Sequence, residues 1–124
     1  KRFVNETDID ACAIAIGTQH GMQTQAAEID FERLSQIRDL VEVPLVLHGS
    51  SGVKDDELKI MGNKGIQKVN IGTRLKRVFT DTLREKLNSN KDLHNQITAL
   101  KPCINEVSKE VTYKMKMLGC DGKA

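Results

Sequence analysis

Apolar and polar positions fall into a repeating rhythm: a short apolar run, a polar turn containing glycine, then a stretch with apolar residues at helical spacing. Residues 11–16 form a nearly continuous apolar run, which predicts a strand buried on both faces, as in parallel sheets. Their small side chains suit a helix equally well, and Gly17 stops the run. Asp30 predicts a helix N-cap, with Phe31, Leu34, Ile37 and Val41 on one face of the helix that follows. Pro44 opens a second run, closed by His48 and Gly49, and proline is acceptable at the first position of a strand. Asp55 predicts the cap of a second helix running towards Asn63, with Gly65 as its stop. Residues 66–71 predict a third strand with Val69 and Ile71 on one side. Thr73 then predicts a cap for a third helix, whose stripe is Leu75, Val78, Phe79, Leu83 and Leu87. After a polar loop at 88–92, a last helix is expected to start near Pro102. Its face is Ile104, Val107, Val111, Met115 and Leu118, and Gly119 ends it.

Strands alternating with helices predict α/β architecture with a parallel sheet and right-handed crossovers. Three such units suit a doubly wound sheet or a barrel, and periodicity leaves both open. No internal repeat beyond this rhythm and no low-complexity segment stands out.

Composition narrows the function classes. At 124 residues the chain is one domain at most, and the formal net charge is only +2. There is no basic tail or Arg-rich stripe, and the aromatics are Phe3, Phe31, Phe79 and Tyr113 alone, which argues against nucleic acid as a partner. No apolar run approaches the roughly 20 residues of a membrane span. Residues 1–5 lack the apolar segment of a signal peptide. Cys12, Cys103 and Cys120 are odd in number and form no CxxC pair, so the expectation is a reducing cytoplasm with no disulfide framework. The chain begins with Lys1 and reads as a piece of something longer.

The chemistry gathers at one address. Each apolar run is followed at once by a polar turn: residues 17–21, 48–52 and 70–73. In parallel α/β folds the C-terminal strand ends share one face, and ligands bind there. Two of the turns carry a histidine, His20 and His48. Neutral imidazole is the commonest metal ligand, but a catalytic zinc site needs about three protein ligands, and two histidines alone suit hydrogen-bonded structural roles equally well. His94, among Asp92, Asn95 and Gln96, reads as a solvated surface residue. Gly49, Ser51 and Gly52 let backbone N–H groups approach an anion, and the helix expected after Asn70 offers its positive end, although ordinary βα turns use the same residues. The charges of the third helix (Arg74, Lys76, Arg77, Arg84, Lys86, with Asp81 and Glu85) read as a solvated face. So do Glu106, Lys109, Glu110, Lys114 and Lys116 of the last helix.

These turns carry a resemblance. Residues 13–21 (AIAIGTQHG) resemble the second zinc-ligand segment of the class II fructose- and tagatose-bisphosphate aldolases, and 44–52 (PLVLHGSSG) resemble the third. Residues 68–73 (KVNIGT) resemble the family's phosphate-binding strand end, and 30–34 with 119–124 also fit. The resemblance implies a TIM barrel, of which residues 1–124 would be the C-terminal portion: three βα units and a terminal helix out of about 250 residues. By position, His20 and His48 would ligate Zn²⁺ or another divalent cation. Gly21, Gly49, Ser50, Ser51, Asn70, Ile71, Gly72 and Thr73 would contact dihydroxyacetone phosphate, those at Gly21, Ser50, Ile71 and Gly72 through backbone, and Asn70 would hydrogen-bond the substrate beside the metal. The implied reaction cleaves fructose 1,6-bisphosphate at C3–C4, with tagatose 1,6-bisphosphate as the alternative substrate and a homodimer or tetramer as the assembly. The family's Asp–His pair, which completes the metal site and moves the proton, has no counterpart here, since Asp8 and Asp10 precede a different strand. Residues 22–27 also lack the Lys and Pro expected after the second ligand, which bears on specificity. Two other readings stay open: an inactive truncated product that keeps a phosphate-binding half-site, and a phosphate-binding portion of a metal-free barrel.

Overall fold

The computed structural model describes residues 1–123. The chain divides into two compact units, Lys1–Ile71 and the remainder from Gly72.

In the first unit the elements run α1 (Arg2–Thr7), β1 (Cys12–Ala13), α2 (Phe31–Arg38), β2 (Leu45–Leu47), α3 (Asp55–Ile60) and β3 (Ile66–Val69). The strands form a parallel sheet in the order β1-β2-β3, so each βα crossover returns the chain to the adjacent position. Cys12 faces Leu45, Leu45 faces Ile66 and Leu47 faces Val69, with a register shift between Leu45 and Val46. Gln67 is the residue skipped at that shift. Its side-chain Oε1 accepts from the Leu45 N–H at 2.7 Å, so the interrupted ladder leaves that donor satisfied. Leu47 of β2 is fully buried, and Ile16, Leu34, Val53, Leu58 and Met61 join it in the core.

Local chemistry explains most boundaries. Asp30 caps α2, its carboxylate accepting from the Arg33 N–H at 2.8 Å. Asp55 does not cap α3. It is the first helical residue, Lys54 occupies the cap position, and the Asp55 carboxylate accepts instead from Gln25 Nε2 at 2.8 Å. The helix is also shorter than expected, passing through a 3-10 turn at Gly62–Lys64 before Gly65, at φ +102°, ends it as the sequence suggested. The run at 11–16 differs from expectation as well. Only Cys12–Ala13 is strand, and burial alternates: Ala11, Ala13 and Ala15 are exposed, whereas Cys12 and Ile14 are half-buried and Ile16 is buried. One face of this segment is therefore open rather than covered. The six-residue α1, with no buried side chain, was not legible in the apolar pattern.

The second unit is a helical pair, α4 (Thr73–Ser89) packed on α5 (Gln96–Met117). Thr73 is not the cap of α4 but its first helical residue; Gly72 stands at the cap and supplies no side-chain acceptor. Leu75, Val78, Phe79 and Leu83 are half-buried and Leu87 is exposed. α5 starts well before Pro102, where Asn95 Oδ1 accepts from the Thr98 N–H at 3.1 Å, and Pro102 lies inside the helix. The buried line of α5 is also rotated from the expected stripe: Ala99, Cys103 and Lys114 are buried, while Ile104 and Met115 are exposed. Lys114 is thus no solvated residue. Its Nζ lies 4.0 Å from Glu110 Oε1 and 5.3 Å from the centre of the Tyr113 ring, and Glu110 Oε2 accepts from Arg74 at 3.0 Å. Among the described residues no helix is long and apolar enough to cross a membrane.

Candidate functional site

The parallel sheet sends the turns after β1, β2 and β3 to one end of the first unit, and there three of the expected residues meet. His48 directly follows β2, and Asn70 directly follows β3, its N–H donating to Leu47 O at 3.0 Å as a last rung of the ladder. His20 arrives from the turn beyond residues 11–16, and its ring centre lies 5.2 Å from that of His48, the planes inclined by 48°.

Gly49 brings the two histidines together. Its backbone sits at φ +64°, and a Cβ there would lie 2.6 Å from the Gln19 carbonyl oxygen. The turn after β2 thus touches the backbone immediately before His20, a contact that only a residue without a side chain permits. The loop beyond His20 is tied down as well. The Ala27 N–H donates to Gly52 O at 2.8 Å, and Gln25 Nε2 donates to Val53 O at 3.1 Å and to Asp55. Gln25 lies in the segment where the sequence departs from the aldolase pattern. Its part in latching this loop was missed because its partners are distant in sequence.

A second connection runs between the turns after β2 and β3. Ser50 is buried, and its hydroxyl donates to Asn70 O at 2.7 Å. The Asn70 amide lies 3.3 Å from His48 Nδ1. Ser50, expected to serve through its backbone, therefore uses its side chain structurally. Gly21 is exposed and Gly49, Ser51 and Ile71 are half-buried on the same unit. Gly72 and Thr73 open the second unit at the start of α4. His94 is exposed and remote in sequence from these turns, its Nδ1 within 3.0 Å of Asp92 O.

The donor set can be tested against a divalent cation. Two imidazoles each bound through one nitrogen at about 2.0–2.1 Å to a tetrahedral ion hold their centres roughly 5 Å apart. The spacing of His20 and His48, at 5.2 Å, fits that requirement. Among the described residues no third His, Cys, Asp or Glu joins them in a group that could hold a metal ion.

The family model described as fructose-bisphosphate aldolase class-II matches residues 1–123. The chain superposes on the YdjI aldolase of Escherichia coli K12 with a TM-score of 0.84 and 37% identity, over 99% of this chain and 45% of that one. It superposes on a candidate fructose-1,6-bisphosphate aldolase from Coccidioides immitis with a TM-score of 0.83 and 27% identity, over 96% of this chain and 41% of the other. The chain thus spans less than half the length of these structures.

Proposed function

The chain belongs to the class II fructose-bisphosphate aldolase family and has the fold of part of its TIM barrel, and from that premise we propose that it is the C-terminal portion of a zinc-dependent lyase that cleaves a ketose bisphosphate. The observation that carries this reading is the pairing of His20 and His48 at neighbouring strand ends, 5.2 Å apart. These two side chains would hold the cation, Zn²⁺ or another divalent ion, with a third ligand from outside the described residues. Bound there, the cation supplies Lewis-acid polarisation of the ketose oxygens as the C3–C4 bond breaks.

The remaining residues bind and orient. Gly21, Gly49, Ser50 and Ser51 offer backbone and hydroxyl donors to a phosphate, and Asn70 offers its amide to a substrate oxygen. Ile71, Gly72 and Thr73 complete the cradle in this proposal. No side chain caps α4, and its first N–H groups carry the positive end of the helix dipole. Fixing the phosphate lets binding energy orient the reacting carbons. Fructose 1,6-bisphosphate is the preferred substrate of this reading, tagatose 1,6-bisphosphate the alternative, and a cytoplasmic homo-oligomer the setting.

Activity assays on the protein and its His20→Ala variant test the proposal with both bisphosphates. Chelator-sensitive cleavage that disappears in the variant supports it, and unchanged activity in the variant overturns the role given to His20. Absence of cleavage with either bisphosphate, even with metal supplied, favours the alternative of an inactive product that keeps only a phosphate-binding half-site.

A further inference from the structure

The loop that carries His20 lies along the turn that follows His48, and one side chain fastens the two together. We propose that Gln25 is a positioning residue for His20: its amide clamps the 17–28 loop onto the chain between β2 and α3, and so presets the spacing of the two imidazoles. The proposal deepens the metal-site reading above and rests on it for the cation alone. The base of the loop is pinched. The Asp30 N–H donates to Ile16 O at 3.0 Å, and Gly17, at φ +99°, lies so close to the Glu28 carbonyl that a Cβ has no room. That closure fixes where the loop begins and ends, but not where its middle lies. Two contacts flank His20 on the side of the β2 turn. Gln19 meets Gly49 just before it, and Met22 meets Gly52 just after it, where a Cβ on Gly52 would fall 2.8 Å from Met22 Cβ.

These close approaches set how near the loop comes to the turn, and hydrogen bonds keep it there. Gln25 Nε2 donates to Val53 O at 3.1 Å and to Asp55 Oδ1 at 2.8 Å, and the Ala27 N–H donates to Gly52 O at 2.8 Å. Both partners of Gln25 are acceptors, a backbone carbonyl and a carboxylate, so only the NH₂ end of the amide can face them, one N–H to each. The anchor is firm: Gly52 and Val53 are buried, and Asp55 opens α3. Gln25 itself is exposed, so its bonds compete with water, and their loss loosens the loop rather than unfolding the unit. A loosened loop lets His20 move away from His48, and a cation then has to order one ligand as it binds the other.

Two substitutions separate this role from general support of the fold. Gln25→Glu is nearly isosteric, removes both donors and sets a carboxylate against Asp55. Gln25→Ala removes both donors and adds no charge. Three quantities are read by NMR in metal-free protein: amide exchange at Ala27, amide exchange at Asn70, and the cross-relaxation peak between the His20 and His48 rings. Zinc affinity is read by chelator competition. The Ala27 N–H bridges the loop and the turn, whereas the Asn70 N–H donates to Leu47 O at the sheet. Expected in both variants are exchange at Ala27 roughly 10-fold faster, exchange at Asn70 unchanged, a weakened ring-to-ring peak and zinc binding roughly 10-fold weaker. Equal acceleration at Ala27 and Asn70 would reduce Gln25 to general support of the fold and overturn the proposal. A parent-like ring-to-ring peak with parent-like zinc affinity would overturn it as well, whatever happens at Ala27. If the parent binds no zinc, the aldolase reading loses its cation and the metal-free spectra decide alone. A ring-to-ring peak weakened in the variants then upholds the positioning role, and an unchanged peak overturns it.

Discussion

A hydrogen atom at Gly49, where any other residue carries carbon, lets the turns before His20 and after β2 touch. Gly49→Ala has two physical consequences. The left-handed backbone at φ +64° becomes strained by about 1–2 kcal/mol, and the new methyl meets Gln19 O at 2.6 Å, so the turns must separate. The expected outcome is a lower urea midpoint together with weakened zinc binding, and a variant that keeps both would show that the turn contact is dispensable. In the second unit, Glu110 stands between Arg74 and the buried Lys114. Glu110→Ala removes the carboxylate and leaves a buried ammonium less well compensated, with an expected loss of about 3 kcal/mol. Lys114→Met leaves Glu110 paired to Arg74 and fills similar volume, so it should cost under about 1 kcal/mol. Equal denaturation midpoints for the two variants would contradict this ordering. At this scale the sequence was readable where chemistry coincides with position: His20, His48 and Asn70 stand out because each follows a strand. The side-chain bonds of Ser50 and Gln25 were not readable, because their partners lie 20 and 28 residues away and nothing local announces them. Lys114 was misread because a lysine among other charges on a helix is ordinarily solvated, whereas its burial comes from tertiary packing that local sequence does not announce.

Elements were legible in proportion to how much of their boundary is local. The start of α2 was visible because an Asp cap precedes an apolar stripe, and the structure shows that bond. The start of α5 was misplaced because Pro102 carries a strong preference for a first helical position, whereas the helix is capped at Asn95 and Pro102 lies inside it. Both residues now make testable contributions. Asn95 accepts from the Thr98 N–H, so Asn95→Ala should destabilise by about 1 kcal/mol. Pro102 cannot donate to the carbonyl one turn back, so Pro102→Ala should restore a helical hydrogen bond and stabilise by about 1–3 kcal/mol. Thermal unfolding of the two variants would give shifts of opposite sign, and a fall in melting temperature for Pro102→Ala would mean that its ring packing matters more than the missing bond. β1 was over-read for a different reason. A continuous apolar run suggests burial on both faces, but in residues 11–16 the odd positions are alanines that remain exposed. Alternation hides when both classes are apolar, because periodicity registers polarity and not size.

For the whole molecule the decisive facts are the surfaces left open. The sheet ends at β1 on one side and β3 on the other, and a strand edge is a row of backbone donors and acceptors ready to pair. The alanine face of residues 11–15 is exposed, α4 buries no side chain fully, and Ile97 and Ile104 of α5 stand in solvent at 77% and 61% exposure. Lys68 on the edge strand β3 is the kind of charge that blunts pairing, but β1 carries none. The structures that this chain resembles are more than twice its length. The α/β class was legible from the rhythm of the sequence, whereas the barrel was legible only through the aldolase-like turns, since what closes a barrel lies in other strands. These surfaces predict the behaviour of the 124 residues when produced alone: self-association, or a monomer of marginal stability. Apolar area that stays in water contributes nothing to stability, and an unpaired edge gains hydrogen bonds by finding another chain. Sedimentation velocity over a wide concentration range, with thermal unfolding at each concentration, distinguishes the cases. A sedimentation coefficient or melting temperature that rises with concentration is expected, because association that stabilises the folded chain acts by mass action. A sharp, concentration-independent transition of a monomer would mean that the helices and three strands bury enough by themselves.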